Sequence, residues 1–131
     1  MKRTRLLLSA LLLTLTACQE RTDIDLNNLT ERERQAVEAL AWLRQADAEQ
    51  DAQVAIVHND LRLLALSGRV PVLPGVAPDR SDDAKRRCGI RPLEGTTDSV
   101  LGDAHRILLQ RASDYAAEYN RIMIAYCLKV R

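Results

Sequence analysis

The sequence predicts an α+β domain in which long N- and C-terminal helices pack on a small two- or three-stranded sheet held by one disulfide. Three observations lead there. A helix-forming run rich in Ala, Glu, Gln and Arg starts at Thr30. Short apolar runs broken by Gly and Pro fill Leu61 to Glu94. Apolar residues then recur every three or four positions from Ala104 to Tyr126. A mostly α fold is the alternative, because one central apolar run also reads as helix. The 131 residues favour a single domain. The chain divides into residues 1–17, a polar stretch 18–28 and a globular domain 29–131.

The first division has its own logic. Met1 to Arg5 carries three bases, and Leu6 to Thr16 is an uncharged, mostly apolar run. A helix of that length falls short of the ~20 residues needed to span a bilayer, so the run reads as the apolar region of an export signal. It ends Leu15-Thr16-Ala17-Cys18. This resembles the lipobox of bacterial lipoproteins, in which Leu, a small or hydroxylated residue and Ala precede Cys. The resemblance covers the signal only. It implies a diacylglycerol thioether on Cys18, cleavage before it and acylation of the freed amine. Several acyl chains are needed because one gives only marginal, reversible binding. The following residue is Gln19 rather than Asp. In enterobacterial-type sorting that resembles an outer-membrane destination, facing the periplasm. The competing reading is an ordinary secreted protein in which Cys18 is incidental.

Residues 19–28 read as a tether. Asp23 to Asn28 has some likeness to a calcium loop, but Asn28 stands where Gly is needed and Arg34 where the final Glu belongs. Thr30-Glu31-Arg32-Glu33 fits a capping box. The first helix is predicted from Glu31 to about Val57, with Ala36, Val37, Leu40 and Leu43 on one face, Trp42 off it, and a break near Ala48–Asp51. His58-Asn59-Asp60 is a turn signal. Leu61–Leu66 and Val70–Val76 flank Ser67-Gly68 and read as a hairpin, with Pro71 confined to an edge. The competing reading continues a helix to Ser67 and caps it at Gly68. Ala77 to Arg87 reads as a charged loop with at most one helical turn and Cys88 to Glu94 as a third strand. Gly95 to Ser99 reads as a turn able to cap the last helix.

The last helix is predicted from about Asp103 to Leu128. Ala104, Leu108, Ala112, Tyr115, Tyr119, Ile122 and Tyr126 form one stripe. Leu109, Ala116, Met123 and Cys127 form the adjacent column. If lipid occupies Cys18, Cys88 and Cys127 remain, and in an oxidising compartment an even remainder reads as a disulfide. Two free thiols or an intermolecular bridge are the alternatives. Two Cys without a neighbouring His make a poor zinc site.

Composition limits the function. Three of the 19 basic residues, Lys2, Arg3 and Arg5, lie in the signal; without them the 18 acidic residues outnumber the bases. No basic surplus points to nucleic acid, and no cofactor motif is present. His58 with Asp60, and Asp103 with His105, make an acid/base or metal site only if both pairs meet. The plainer reading gives Asp60 an Asx-turn, Asp103 a helix cap and His105 a surface position. Lys85-Arg86-Arg87 beside Asp82 and Asp83 suits an anionic head group, or simply a solvated loop. Thr96 and Thr97 offer hydroxyls, which turn capping also explains. The tyrosine stripe suits core packing better than a ligand platform. The leading expectation is a non-enzymatic, membrane-anchored envelope lipoprotein that binds a protein or another envelope component. A small periplasmic hydrolase or metal-dependent enzyme is the second, and an inhibitor or immunity protein against an envelope-targeted toxin the third.

Overall fold

A computed structural model describes residues 24–129. The signal, Cys18 and the start of the tether lie outside them. Among the described residues, four helices and a two-stranded parallel sheet follow in the order α1 (Glu31–Ala39), a 3-10 turn (Ala41–Arg44), α2 (Ala48–Val57), β1 (Leu63–Ala65), a 3-10 turn (Pro78–Arg80), α3 (Ser81–Cys88), β2 (Ile90–Pro92) and α4 (Asp103–Cys127). The fold is α+β, with the sheet packed against the long C-terminal helix.

The first expected helix is two. Thr30 caps α1, its hydroxyl accepting from the Glu33 amide at 3.2 Å. The helix stops at Ala39, and the chain turns through Ala41–Arg44. Asp47 then caps α2, accepting from the Gln50 amide at 3.0 Å. The break therefore precedes the expected Ala48–Asp51. Its consequence is to bring Trp42 back to the protein. The indole packs edge-on to Tyr115 with ring centres 5.1 Å apart, and its Nε1–H donates to the Glu94 carbonyl.

The expected hairpin is replaced by a parallel pair. Leu63, Leu64 and Ala65 stand opposite Ile90, Arg91 and Pro92. The antiparallel pairing shrinks to one bridge, Leu66 with Val72. The reason lies on α4. The Asn120 carboxamide accepts from the Leu64 amide at 2.7 Å and donates to the Leu64 carbonyl at 2.9 Å. Both groups that a second strand would use are already taken. The same amide donates to the Pro74 carbonyl at 2.9 Å, which holds the returning segment against the helix. Pro71, with no N–H, removes a further ladder bond. All three β1 residues are buried, which accounts for their uniformly apolar character.

The charged stretch before Cys88 forms α3 rather than a loop. Asp82 and Asp83 sit in its first turn and Lys85, Arg86 and Arg87 in its last, complementing the helix dipole. Cys88 ends this helix instead of opening a strand. It is disulfide-bonded to Cys127, with the Cα atoms 5.6 Å apart, inside the range a bridge spans without backbone movement. α4 is continuous through its tyrosines. Its buried face is Ala104, His105, Leu108, Ala112, Ala116, Tyr119, Asn120, Met123 and Cys127. The face is rotated from the expected stripe, leaving Tyr126 42% exposed.

The core gathers Leu40, Leu63, Leu64, Tyr119 and Met123 among small residues, with Ala52, Ala112 and Ala116 fully buried. These alanines let α2 and the sheet approach α4 closely. Gly75 serves the same end. It adopts φ +75°, and a Cβ there would strike the Ala117 backbone.

Candidate binding groove

A groove opens where Ile24 and Leu26, within the stretch read as a tether, meet α1, the Ala41–Arg44 turn, the start of α2 and α4. Its volume is about 390 Å3. Val37, Leu40, Leu43 and Leu108 line it together with Ile24 and Leu26 from the incoming segment. A second cavity of about 340 Å3 shares Leu26, Val37, Ala41 and Arg44 with the first. Leu26, 46% exposed, borders both. The groove exists because the helix breaks at Leu40. A continuous helix would carry residues 41–44 onward instead of turning them toward α4.

Polar groups border the apolar floor. Arg44 and Arg111 line the groove, both with exposed side chains. Tyr115 also lines it, and its hydroxyl donates to Asp51 at 2.7 Å. Burial, the carboxylate bond and the charge of Asp51 all push the Tyr115 phenol well above its usual pKa, so it remains a neutral donor. A more open depression of about 440 Å3 lies on another face between the 66–72 and 96–100 segments. Thr96 is buried at its edge, donating to the Leu93 carbonyl at 2.8 Å and accepting from the Ser67 amide at 3.2 Å. Its hydroxyl ties two loops together; neither Thr96 nor Thr97 caps α4, whose cap position is Gly102 and which has no side-chain cap.

The histidine pairs do not meet. His58 is the exposed C-terminal cap of α2. Asp60 accepts from the Arg62 amide and forms a two-point pair with its guanidinium, at 2.9 and 3.0 Å. That guanidinium, chiefly by hydrogen bonding, holds the Asp60 carboxyl below the ordinary range. The Arg62 stem lies over Gly89, beside the bridge that fixes the C-terminal end of α4. Asp103 and His105 occupy the first turn of that helix, on the order of 30 Å away along its axis. Asp103 is 95% exposed, pairs with Arg106 at 3.6 Å and lies inside the helix, after its cap position Gly102, so it is not a cap.

His105 is fully buried, contrary to its expected surface position. Its Nδ1 accepts from the Leu101 amide at 3.1 Å, which places the proton on Nε2. Nε2 has no partner among the described residues. Burial depresses the His105 pKa; the nearby Glu33 carboxylate opposes this without reversing it. Glu33 is itself buried, and its carboxylate lies where a side chain on Gly102 would stand. This carboxylate therefore packs against the start of α4 rather than completing the capping box. His105 lines none of the cavities described above.

The basic run is paired locally: Arg86 and Arg87 face Asp83 at 3.5 and 3.6 Å, and Arg87 donates to the Leu128 carbonyl. Among the described residues, no group of three or more His, Cys, Asp or Glu is placed to hold a metal. No helix among them is long and apolar enough to cross a membrane. Comparison of the chain with protein-family models, with curated proteins and with solved structures found no match in any of the three.

The groove and Asn120 escaped the sequence reading. Asn120 had a legible signal: it follows Ala116 by four residues and precedes Met123 by three, so it shares their buried column. His105 likewise stands four residues before Leu109. The groove had none, since it depends on where α1 ends.

Proposed function

We propose that this chain is a lipid-anchored envelope lipoprotein whose domain, residues 29–131, is a non-enzymatic binding module. The observation that carries the address is Leu15-Thr16-Ala17-Cys18 after a basic start and a short apolar run. The Cys88–Cys127 bridge supports it, because such bonds persist in oxidising compartments outside the cytoplasm. Gln19 favours the outer membrane, with the domain facing the periplasm. The binding role is supported by a concave apolar surface with polar groups at its border. The separation of His58 from His105 weighs against the acid/base alternative, since neither histidine finds a carboxylate partner poised for proton transfer among the described residues.

Fractionation of cells producing the full chain tests the location. The protein is expected with the membranes, protease-resistant until the outer membrane is opened, and released as soluble or mis-sorted material by Cys18→Ser. Recovery of the unaltered chain in the cytoplasm would sink the proposal. The binding role is tested by cross-linking in intact envelopes, where His58→Ala and His105→Asn should leave the adduct pattern unchanged. Loss of function in both variants with the fold intact would instead favour an enzyme.

A further inference from the structure

We propose that His105 is an acid-sensitive latch: its neutral ring holds the 97–101 segment in place beside the second depression, and protonation releases that segment while the rest of the fold stays. This goes beyond the binding reading and needs neither the anchor nor the groove. The moving part is defined by its attachments. Thr97, Asp98 and Val100 line the depression together with Leu66, Val72 and Leu109. All five residues from Thr97 to Leu101 are exposed, Val100 and Leu101 included. The segment is fixed at its start, where buried Thr96 bonds to Leu93 and Ser67. It ends at Gly102, whose φ of 154° and ψ of -179° lie in a region open essentially to glycine alone. Between those points Thr97 bonds only within the segment, to the Ser99 carbonyl. Among the described residues, the Leu101 amide donating to His105 Nδ1 is the one hydrogen bond that ties the segment to α4.

That bond exists in one protonation state only. A neutral imidazole with its proton on Nε2 offers a lone pair at Nδ1; an imidazolium carries N–H at both positions and accepts nothing. Protonation would therefore set one N–H against another. The closed site also resists the charge. The ring is fully buried, Nε2 has no partner among the described residues, and His105 is the third residue of α4, where the helix dipole disfavours a cation. Opening the segment admits water to the ring, so the proton and the open form favour each other. Because burial lowers the folded pKa, the latch is closed above about 6.5 and is lost as the pH falls through the folded value. Glu33 of α1 is the charged group that acts on the ring, and it favours protonation without reversing the effect of burial. On the ring's own helix Asp103 and Arg106 are exposed and pair with each other. Asp98, in the segment itself, is exposed.

The test is NMR on the full-length protein labelled with 15N, followed from pH 7.5 to pH 4.5. The chain has two histidines, and exposed His58 serves as the internal reference for the His105 ring signals. At pH 7.5 the His105 signals should report a proton on Nε2 and an accepting Nδ1. As that ring protonates, the Leu101 amide should lose about tenfold of its protection against hydrogen exchange, corrected for intrinsic rate, which is the effect of one lost hydrogen bond. The amide of fully buried Ala116 should keep its protection over the same range. His105→Asn supplies an acceptor that does not titrate, and should hold the Leu101 amide at every pH. Glu33→Gln removes the charge that favours protonation, and should move the ring titration and the Leu101 loss together to lower pH. Four results would overturn the proposal: Leu101 protection unchanged while the ring protonates; a ring that stays neutral until Ala116 is lost too; the same loss in His105→Asn; or a Leu101 loss in Glu33→Gln that no longer follows the ring. If His105→Asn misfolds, the parent protein and Glu33→Gln still decide.

Discussion

From the middle of α4, the Asn120 carboxamide binds the Leu64 amide, the Leu64 carbonyl and the Pro74 carbonyl. All are buried, so each bond lost leaves a group without water or a substitute. An unsatisfied buried group costs about 1–3 kcal/mol. Asn120→Leu is therefore expected to destabilise the fold by about 3 kcal/mol or more, read as a lower midpoint in urea denaturation. A change under about 0.5 kcal/mol would show that the edge of β1 is satisfied otherwise. His105 carries a second residue-scale prediction. Its pKa is lowered in the fold by burial, so the unfolded chain binds the proton more readily. The stability this neutral imidazole contributes is present above its ordinary pKa of about 6.5 and is lost as the pH falls through the folded value. The urea midpoint should drop between pH 7.5 and pH 5.5. His105→Asn keeps an acceptor for the Leu101 amide and should show a smaller drop. An identical drop in both proteins would assign the pH dependence to other groups.

At the scale of elements, the disulfide and the glycine turn do comparable work in different ways. Cys88 and Cys127 are 39 residues apart, and closing a loop of that length restricts the unfolded chain by about 4 kcal/mol. Cys127→Ser with Cys88→Ser should lower stability by about 2–4 kcal/mol, and reductant should then have no further effect. Insensitivity of the parent protein to reductant would argue against the bridge as a stabiliser. Gly75→Ala forces a side chain into the α4 backbone at φ +75° and is expected to cost about 2 kcal/mol or more. Gly68→Ala is its control, since a Cβ there meets nothing closer than 3.6 Å. Elements whose order is written locally were legible. Thr30 and the 3.6-residue period of α4 announce a cap and a helix without reference to anything distant. The expected hairpin failed because its outcome rests on a helix residue 56 positions from Leu64. α3 was missed because its charges, read as solvation, complement a dipole that exists only once the helix forms. The sequence reads as one helix to Val57 with room for a break at Ala48–Asp51, and the chain breaks earlier, after Ala39. Leu40, fully buried, falls where α1 ends and fixes the observed place.

For the whole molecule, the signal and the folded domain carry separate messages. The N-terminal sequence carries the proposed address; the domain provides a small core, one bridge and an apolar groove bordered by Ile24 and Leu26. The two acidic-histidine pairs considered as a site are held at opposite ends of α4, so the architecture separates what an enzyme of that design would join. The exposed ion pairs, Arg34 with Glu31 and Arg121 with Glu118 among them, add little to stability in water. The central claim is the covalent anchor, and mass spectrometry of the protein extracted from cell envelopes tests it most directly. The expected result is a mature N-terminal peptide that begins at Cys18 and carries a diacylglycerol thioether with an acylated amine. A peptide retaining residues 1–17, or one beginning elsewhere with Cys18 unmodified, would contradict it.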